Sequence, residues 1–332
     1  LTEARLVEEY RGGRLENVHA GHICVVDASG NVVRSVGDPT FSAFMRSSAK
    51  PLQALPFFLR RTDAHWPFTE AELAMLAASH RAEPKHVAAL ESMLAKTGLT
   101  EDMLVCHPTY PLSASACHDI VAAGGGKRRI YHNCSGKHIG VLAYCLAAGY
   151  PTEGYWQHDH PAQVDIRQAI AAMAGVSEDE IVRGTDGCGL PVYALPLDRL
   201  AYAFLRLACP DLIEDESLRE AAARMADIMN RHPDMLSGEG LICPALNRDA
   251  GIVAKGGAKG VYAFGLRKER LGVALKILDG SEEEWPLIVA TILSQLGYEG
   301  KDTIDRLHEL AATDIVNDNG LVVGESRAVF KL

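Results

Sequence analysis

The 332-residue chain carries a Ser-x-x-Lys spacing within Arg46-Ser47-Ser48-Ala49-Lys50, where a strand-like pattern gives way to a helical one. Residues three apart share a helix face, so the Ser47 hydroxyl and the Lys50 amine meet at the first turn. A serine hydroxyl becomes a nucleophile only when a neighbouring base takes its proton. Lysine can be that base only if burial or nearby cations lower its pKa well below about 10.4. The free N–H groups of a helix start add donors for a developing oxyanion. Taken alone, the spacing also fits a serine N-cap followed by a solvated lysine.

Four more clusters bear on that choice. Lys255-Gly256-Gly257 opens a C-terminal strand pattern, in the place where K-[ST]-G accompanies S-x-x-K in the serine β-lactamases and penicillin-binding proteins. Gly256 stands for the Ser/Thr, and small residues let backbone approach a substrate closely. Lys259 competes with Lys255, since a strand turns residues four apart to one face. Ser79-His80-Arg81 follows an apolar helical stretch, where a hydroxyl also serves as an ordinary turn residue. The densest cluster is His132-Asn133-Cys134-Ser135-Gly136-Lys137-His138, and Gly184-Thr185-Asp186-Gly187-Cys188-Gly189 reads as its partner. Cysteine beside glycine, histidine and aspartate in loops marks metal sites or reactive thiols. Neither segment has paired C-x-x-C spacing, so a thiol packed under a loop is the competing reading.

The elements that must position these residues follow from periodicity. Residues 22–27 and 32–36 read as a hairpin about a Gly/Asn turn. Helical spacing covers 70–78, with Thr69 as N-cap, and then 84–97, 138–148, 161–174, 190–207 and 217–231. Apolar runs at 251–254, 260–266 and 271–278 read as antiparallel strands. Helices at 282–296 and 303–311 and a strand at 321–330 close the chain. The fold class is therefore α+β: an antiparallel sheet built from both chain ends, with helices on its faces and a helical middle region. We expect a single domain over 1–332, sheet-forming at about 18–45 and 250–332 and mainly helical at about 46–245. Gly124-Gly125-Gly126 before Lys127-Arg128-Arg129 is a surface loop, since no G-K-[ST] ending follows.

Composition removes whole classes of function. There are 33 Lys+Arg against 43 Asp+Glu, a formal charge of −10, and 48% of residues are apolar. Acidity spread along the chain excludes nucleic acid, which needs a basic stripe to release counterions. No apolar run reaches the roughly 20 residues of a membrane span, and Glu3, Glu8, Glu9 and Glu16 stand where a signal peptide would be apolar. The expectation is a cytoplasmic protein with no membrane partner. Cysteines 24, 106, 117, 134, 145, 188, 209 and 243 are scattered in the manner of reduced thiols.

Together the blocks 46–53, 79–80, 132–138, 185–189 and 255–258 resemble the signature of the asparaginase II family, the rhizobial, inducible and thermolabile type. The resemblance runs from about Val18 to Phe330. It implies hydrolysis of L-asparagine to L-aspartate and ammonia, by a homodimer with a serine β-lactamase/glutaminase-like fold. It implies a Ser47–Lys50 tandem, a second tandem of Ser79 with Lys255, and a zinc site of Cys134, Lys137 and Cys188 that aids substrate binding. An amino-acid substrate also needs a cation and an anion, which we assign to Arg46 and Asp186, with His138 as a further substrate-binding residue. The family usually shows an acidic residue where this chain has Lys259, which keeps Lys259 beside Lys255 as an alternative. A glutaminase, a β-lactam-type serine amidase and a non-catalytic zinc or amino-acid binder are the rival readings.

Overall fold

Apolar residues near both ends of the chain converge on one eight-stranded sheet. A computed structural model describes residues 3–332. The strand order is Asp314–Val316, Val322–Ala328, Ala4–Arg11, Arg14–Val26, Leu271–Ile277, Val261–Leu266 and Ile252–Gly256, with Val32–Val36 also paired to Arg14–Val26. The resolved pairings are antiparallel, as adjacent hairpins require. The chain divides into two compact units. One comprises Leu1–Ser48, Leu195–Cys209 and Gly240–Leu332, and the other Ala49–Ala194 and Pro210–Glu239.

In the first unit, every residue of Ile252–Gly256 and Val261–Leu266 is buried. Such strands need cover on both faces. On one face Ile288, Ile292, Leu293 and Leu307 pack with Tyr262, Phe264 and Leu275. On the other lies the helix Leu197–Ala208, and two glycines let it come close. Gly265 and Gly272 pair across neighbouring strands. A Cβ at Gly265 would lie 2.4 Å from the Phe204 carbonyl, and one at Gly272 would lie 2.1 Å from that of Ala201.

The second unit is mainly helical. Thr69 and Glu72 form a reciprocal capping box on Glu70–Ala74, and Pro84 stands in the first turn of Pro84–Thr97. Helices Ser135–Ala148, Pro161–Ala174 and Glu216–Arg231 follow, and Val182–Thr185 pairs antiparallel with residues 191–194.

The expected class, α+β with a sheet from both chain ends and helices on its faces, is what the structure has. Three boundaries differ. The sheet starts at Ala4 instead of near 18, because Arg14–Asn17 is exposed and, Leu15 apart, polar, which hides the strand pattern. Residues 190–207 are not one helix: Pro191–Pro196 is a strand and the helix begins at Leu197. Pro191 and Pro196 bracket β-formers Val192 and Tyr193, which outweigh the apolar spacing. The helix expected from 138 begins at Ser135.

Candidate active site

Ser135–Ala148 carries the densest cluster, and two glycines fix where it lies. A Cβ at Gly136 would sit 2.3 Å from the Met75 carbonyl oxygen, and one at Gly140 would sit 2.2 Å from Leu76 Cδ2. Four apart, they form a seam that seats the helix on the 3-10 turn Met75–Ala77. That turn runs directly into Ala78-Ser79-His80, so the seam brings the loop at 132–134 beside Ser79.

Lys50 joins the two loops. It is 1% exposed, and its Nζ donates to the Ala78 carbonyl at 2.5 Å, Ser79 Oγ at 3.0 Å and the Asn133 carbonyl at 3.2 Å. Burial lowers its pKa below the usual lysine range, with the Lys137 charge acting in the same sense and the Cys134 and Cys188 charges opposing. A buried amine with a lowered pKa can exist as the free base. Ser79 is anchored through its backbone N–H, which donates to the Leu236 carbonyl at 2.7 Å.

His80 holds the arrangement together. Its Nδ1 accepts the Ala82 N–H at 3.1 Å, so Nε2 carries the proton and donates to Ser135 Oγ at 2.8 Å, which donates onward to the Ile130 carbonyl at 2.9 Å. Burial keeps this imidazole neutral, well below the usual histidine pKa. Ser-His in the sequence was a signal for this tie, but its partner Ser135 was not.

The thiols lie on the other side of Lys50. Cys134 Sγ donates to Asn133 Oδ1 at 3.6 Å. The proximity of Cys134 and Cys188 raises the pKa of Cys134 and pulls Cys188 down to about 5, with the Lys137 charge contributing to the latter. Although burial works against it, the charges of Cys188, Cys134 and Asp186 hold the Lys137 ammonium above its ordinary pKa. Asp186 lies in the turn that carries Cys188, where its backbone N–H bonds to the Leu190 carbonyl and Gly189 N–H bonds back to the Asp186 carbonyl. A third thiol, Cys106, is pushed up to about 12 by burial and the two neighbouring cysteine charges, so it stays protonated.

His138 is fixed by Tyr155, which sequence reasoning missed. Tyr155 Oη accepts the Val105 N–H at 2.9 Å, so its own proton goes to His138 Nδ1 at 2.7 Å. In that tautomer His138 Nε2 bears hydrogen, and among the described residues this buried atom has no hydrogen-bond partner. Burial lowers the imidazole to about 3, so His138 is neutral at ordinary pH.

Within the first unit, Ser47 lies buried in the 3-10 turn Arg46–Ala49, and this turn continues into the helix Lys50–Gln53. Arg46 has φ +51°, the left-handed region, and lines an open groove with Phe41, Phe44, Lys259 and Lys276. Ser48 Oγ donates to the Met45 carbonyl at 2.6 Å, which makes it a structural hydroxyl. Lys255 is 1% exposed in its strand, and its Nζ donates to the Gly256 carbonyl at 2.8 Å. A Cβ at Gly257 would lie 2.7 Å from the Met45 carbonyl, so the K-G-G strand end runs beside the turn that carries Ser47. Lys259 is exposed at φ +58°, past the strand end at Gly256, so the shared-face argument linking it to Lys255 does not hold.

A family model described as L-asparaginase II matches residues 7–328. No curated protein matches the chain. Similar solved structures include a candidate β-lactamase from Bacteroides dorei (13% identity, 82% of this chain and 92% of that one, TM-score 0.43). They also include a β-lactamase from Mycobacterium bovis (14%, 83% and 94%, 0.40) and a Bacillus glutaminase (11%, 83% and 91%, 0.40). Among the described residues no helix is long and apolar enough to cross a membrane.

Proposed function

The chain belongs to the L-asparaginase II family and is an amidohydrolase, and from that premise we propose that it hydrolyses L-asparagine to L-aspartate and ammonia through a Ser-Lys nucleophile. The observation that carries the reading is Lys50: a buried amine of lowered pKa, hydrogen-bonded to Ser79 and three residues from Ser47 along a continuous helical turn.

In this mechanism Ser47 gives its proton to neutral Lys50 as its Oγ bonds to the side-chain amide carbon. The C–N bond breaks as a proton is delivered to nitrogen. Ammonia departs, and an aspartyl ester remains on Ser47. Water then adds to the ester with Lys50 taking its proton, and aspartate leaves with Ser47 restored. Ser79 relays protons between Lys50 and the leaving nitrogen. Lys255, the second buried lysine, is assigned to the tandem with Ser79 that the family resemblance implies. His138 Nε2–H, Asp186 and Arg46 bind the polar groups of the amino acid, the first supported by its unsatisfied donor.

The donors Cys134, Lys137 and Cys188 suit zinc, which takes thiolate and nitrogen ligands. Of the two thiols, Cys188 has its pKa lowered by Cys134 and the Lys137 charge, which favours the ligating thiolate. Lys137 must lose a proton to ligate, so loading releases protons. When bound, zinc supplies a fixed positive charge that helps hold substrate.

Ammonia release from L-asparagine and L-glutamine, with and without zinc, tests the reading. We expect asparagine to be the better substrate. One methylene is worth only about 1–3 kcal/mol in a pocket, so glutamine is the demanding comparison. No ammonia from asparagine with zinc present would overturn the assignment, and faster turnover of glutamine would convert it to a glutaminase.

A further inference from the structure

We propose that Glu9, His19 and Glu284 form a binding site for a divalent metal ion of borderline hardness, Zn2+ being the probe of choice, made of residues distinct from the Cys134, Lys137 and Cys188 set. All three belong to the unit that contains the large sheet. Val7 pairs with His19 and Glu9 with Asn17 in regular register, so Glu9 and His19 are diagonal neighbours on one sheet face. Glu284 joins them from the start of the helix Trp285–Gln295.

The geometry suits an ion. His19 Nε2 lies 3.6 Å from a Glu9 oxygen and 3.6 Å from a Glu284 oxygen, and the ligand atoms all lie within 4.8 Å of one another. Bonds of about 2.0–2.1 Å around a tetrahedral zinc separate neighbouring ligands by about 3.3 Å. The set therefore needs only small adjustments. His19 Nδ1 is 2.6 Å from Asp279 Oδ2, the carboxylate partner that orients a metal-ligating imidazole and turns the Nε2 lone pair outward. Asn17 Nδ2 bridges the same two groups, 3.2 Å from His19 Nε2 and 3.0 Å from Glu9 Oε2, and an ion would take the place of that exposed amide.

Glu284 is the independent sign that something is expected there. It is only 8% exposed, and among the described residues its carboxylate accepts no hydrogen bond, with His19 Nε2 3.6 Å away. A buried carboxylate without donors is costly unless a cation neutralises it. A bound cation relieves that cost, and it would pin the first two strands to the helix at Trp285. One coordination position is left for water.

The test is metal stoichiometry of the full chain, stripped with chelator and titrated with Zn2+ alone. We expect Glu9→Gln and His19→Ala each to bind one equivalent fewer than wild type, or to hold it at least tenfold more weakly, while Cys188→Ser keeps it. Glu9 is partly exposed on a strand, so Glu9→Gln should fold, and circular dichroism verifies this. Co2+ gives a second readout, since this site yields a d–d spectrum without the thiolate charge-transfer band. Unchanged zinc stoichiometry in both Glu9→Gln and His19→Ala, or cobalt bands from thiolate ligation only, would overturn the proposal.

Discussion

Lys50 Nζ lies 3.0 Å from Ser79 Oγ while donating also to the carbonyls of Ala78 and Asn133, so one buried amine ties three motif loops to a single hydroxyl. The sequence-level assignment of two separate tandems is thereby joined: the lysine of the first contacts the serine of the second. If Lys50 acts as a base, keeping its charge is not enough. Lys50→Arg retains a cation but cannot give up a proton. It is expected to lower kcat for asparagine at least 10³-fold, and activity within tenfold of wild type would count against a base role.

Ser79 relays protons and is not the nucleophile in this scheme. General acid–base contributions are typically 10²–10⁴-fold. Ser79→Ala should accordingly lower kcat by about 10²-fold with little change in KM, and steady-state kinetics separate the two parameters.

The thiol set predicts the opposite split. Cys188→Ser and Lys137→Met should each remove one bound zinc and raise KM for asparagine more than tenfold, with kcat reduced less. A large loss of kcat at unchanged KM would show that this set serves the chemical step instead of substrate binding.

Gly136 is expected to be intolerant because its Cβ position is 2.3 Å from backbone, which cannot swing away. Gly136→Ala must push the helix Ser135–Ala148 off the turn beneath it. Overpacking of this kind costs about 1–3 kcal/mol. Gly187 is the control, since nothing lies within 4 Å of its Cβ position. Gly187→Ala should stay within about 0.5 kcal/mol of wild type. Urea denaturation of both variants checks this.

Asp249 supplies a pH dependence of stability. Burial raises its pKa, but hydrogen bonds from Thr303 Oγ1 at 2.7 Å, Tyr298 Oη at 2.7 Å and the Gly251 N–H at 2.9 Å outweigh burial and lower it. A carboxyl depressed in the folded state adds stability above its unfolded pKa of about 3.9, and that increment is lost as pH falls through the folded value. Wild type should therefore weaken below about pH 4, and Asp249→Asn should be less stable at neutral pH and flatter across that range. Denaturation midpoints at a series of pH values measure the two slopes.

What the sequence made legible was the set of residues with local signatures. Ser47 and Lys50 were readable from spacing, and the N-cap at Thr69 and the helix 84–97 from residue type and period. The C-terminal strands were readable from short apolar runs. The Ala4–Arg11 strand was not, because half-exposed strands carry charge on both faces and lose alternation. Tyr155 and Asn133 reach the site through a lone hydroxyl and a backbone carbonyl, which no spacing encodes. Glu9, His19 and Glu284 are separated by most of the chain, and only strand register and a helix start bring them together.

The central claim is that Ser47 is the nucleophile of an asparagine amidohydrolase, and the direct measurement is ammonia release by Ser47→Ala beside wild type, at matched fold and zinc content. The account predicts a kcat at least 10³-fold lower with asparagine binding retained. Turnover within a few-fold of wild type would contradict it.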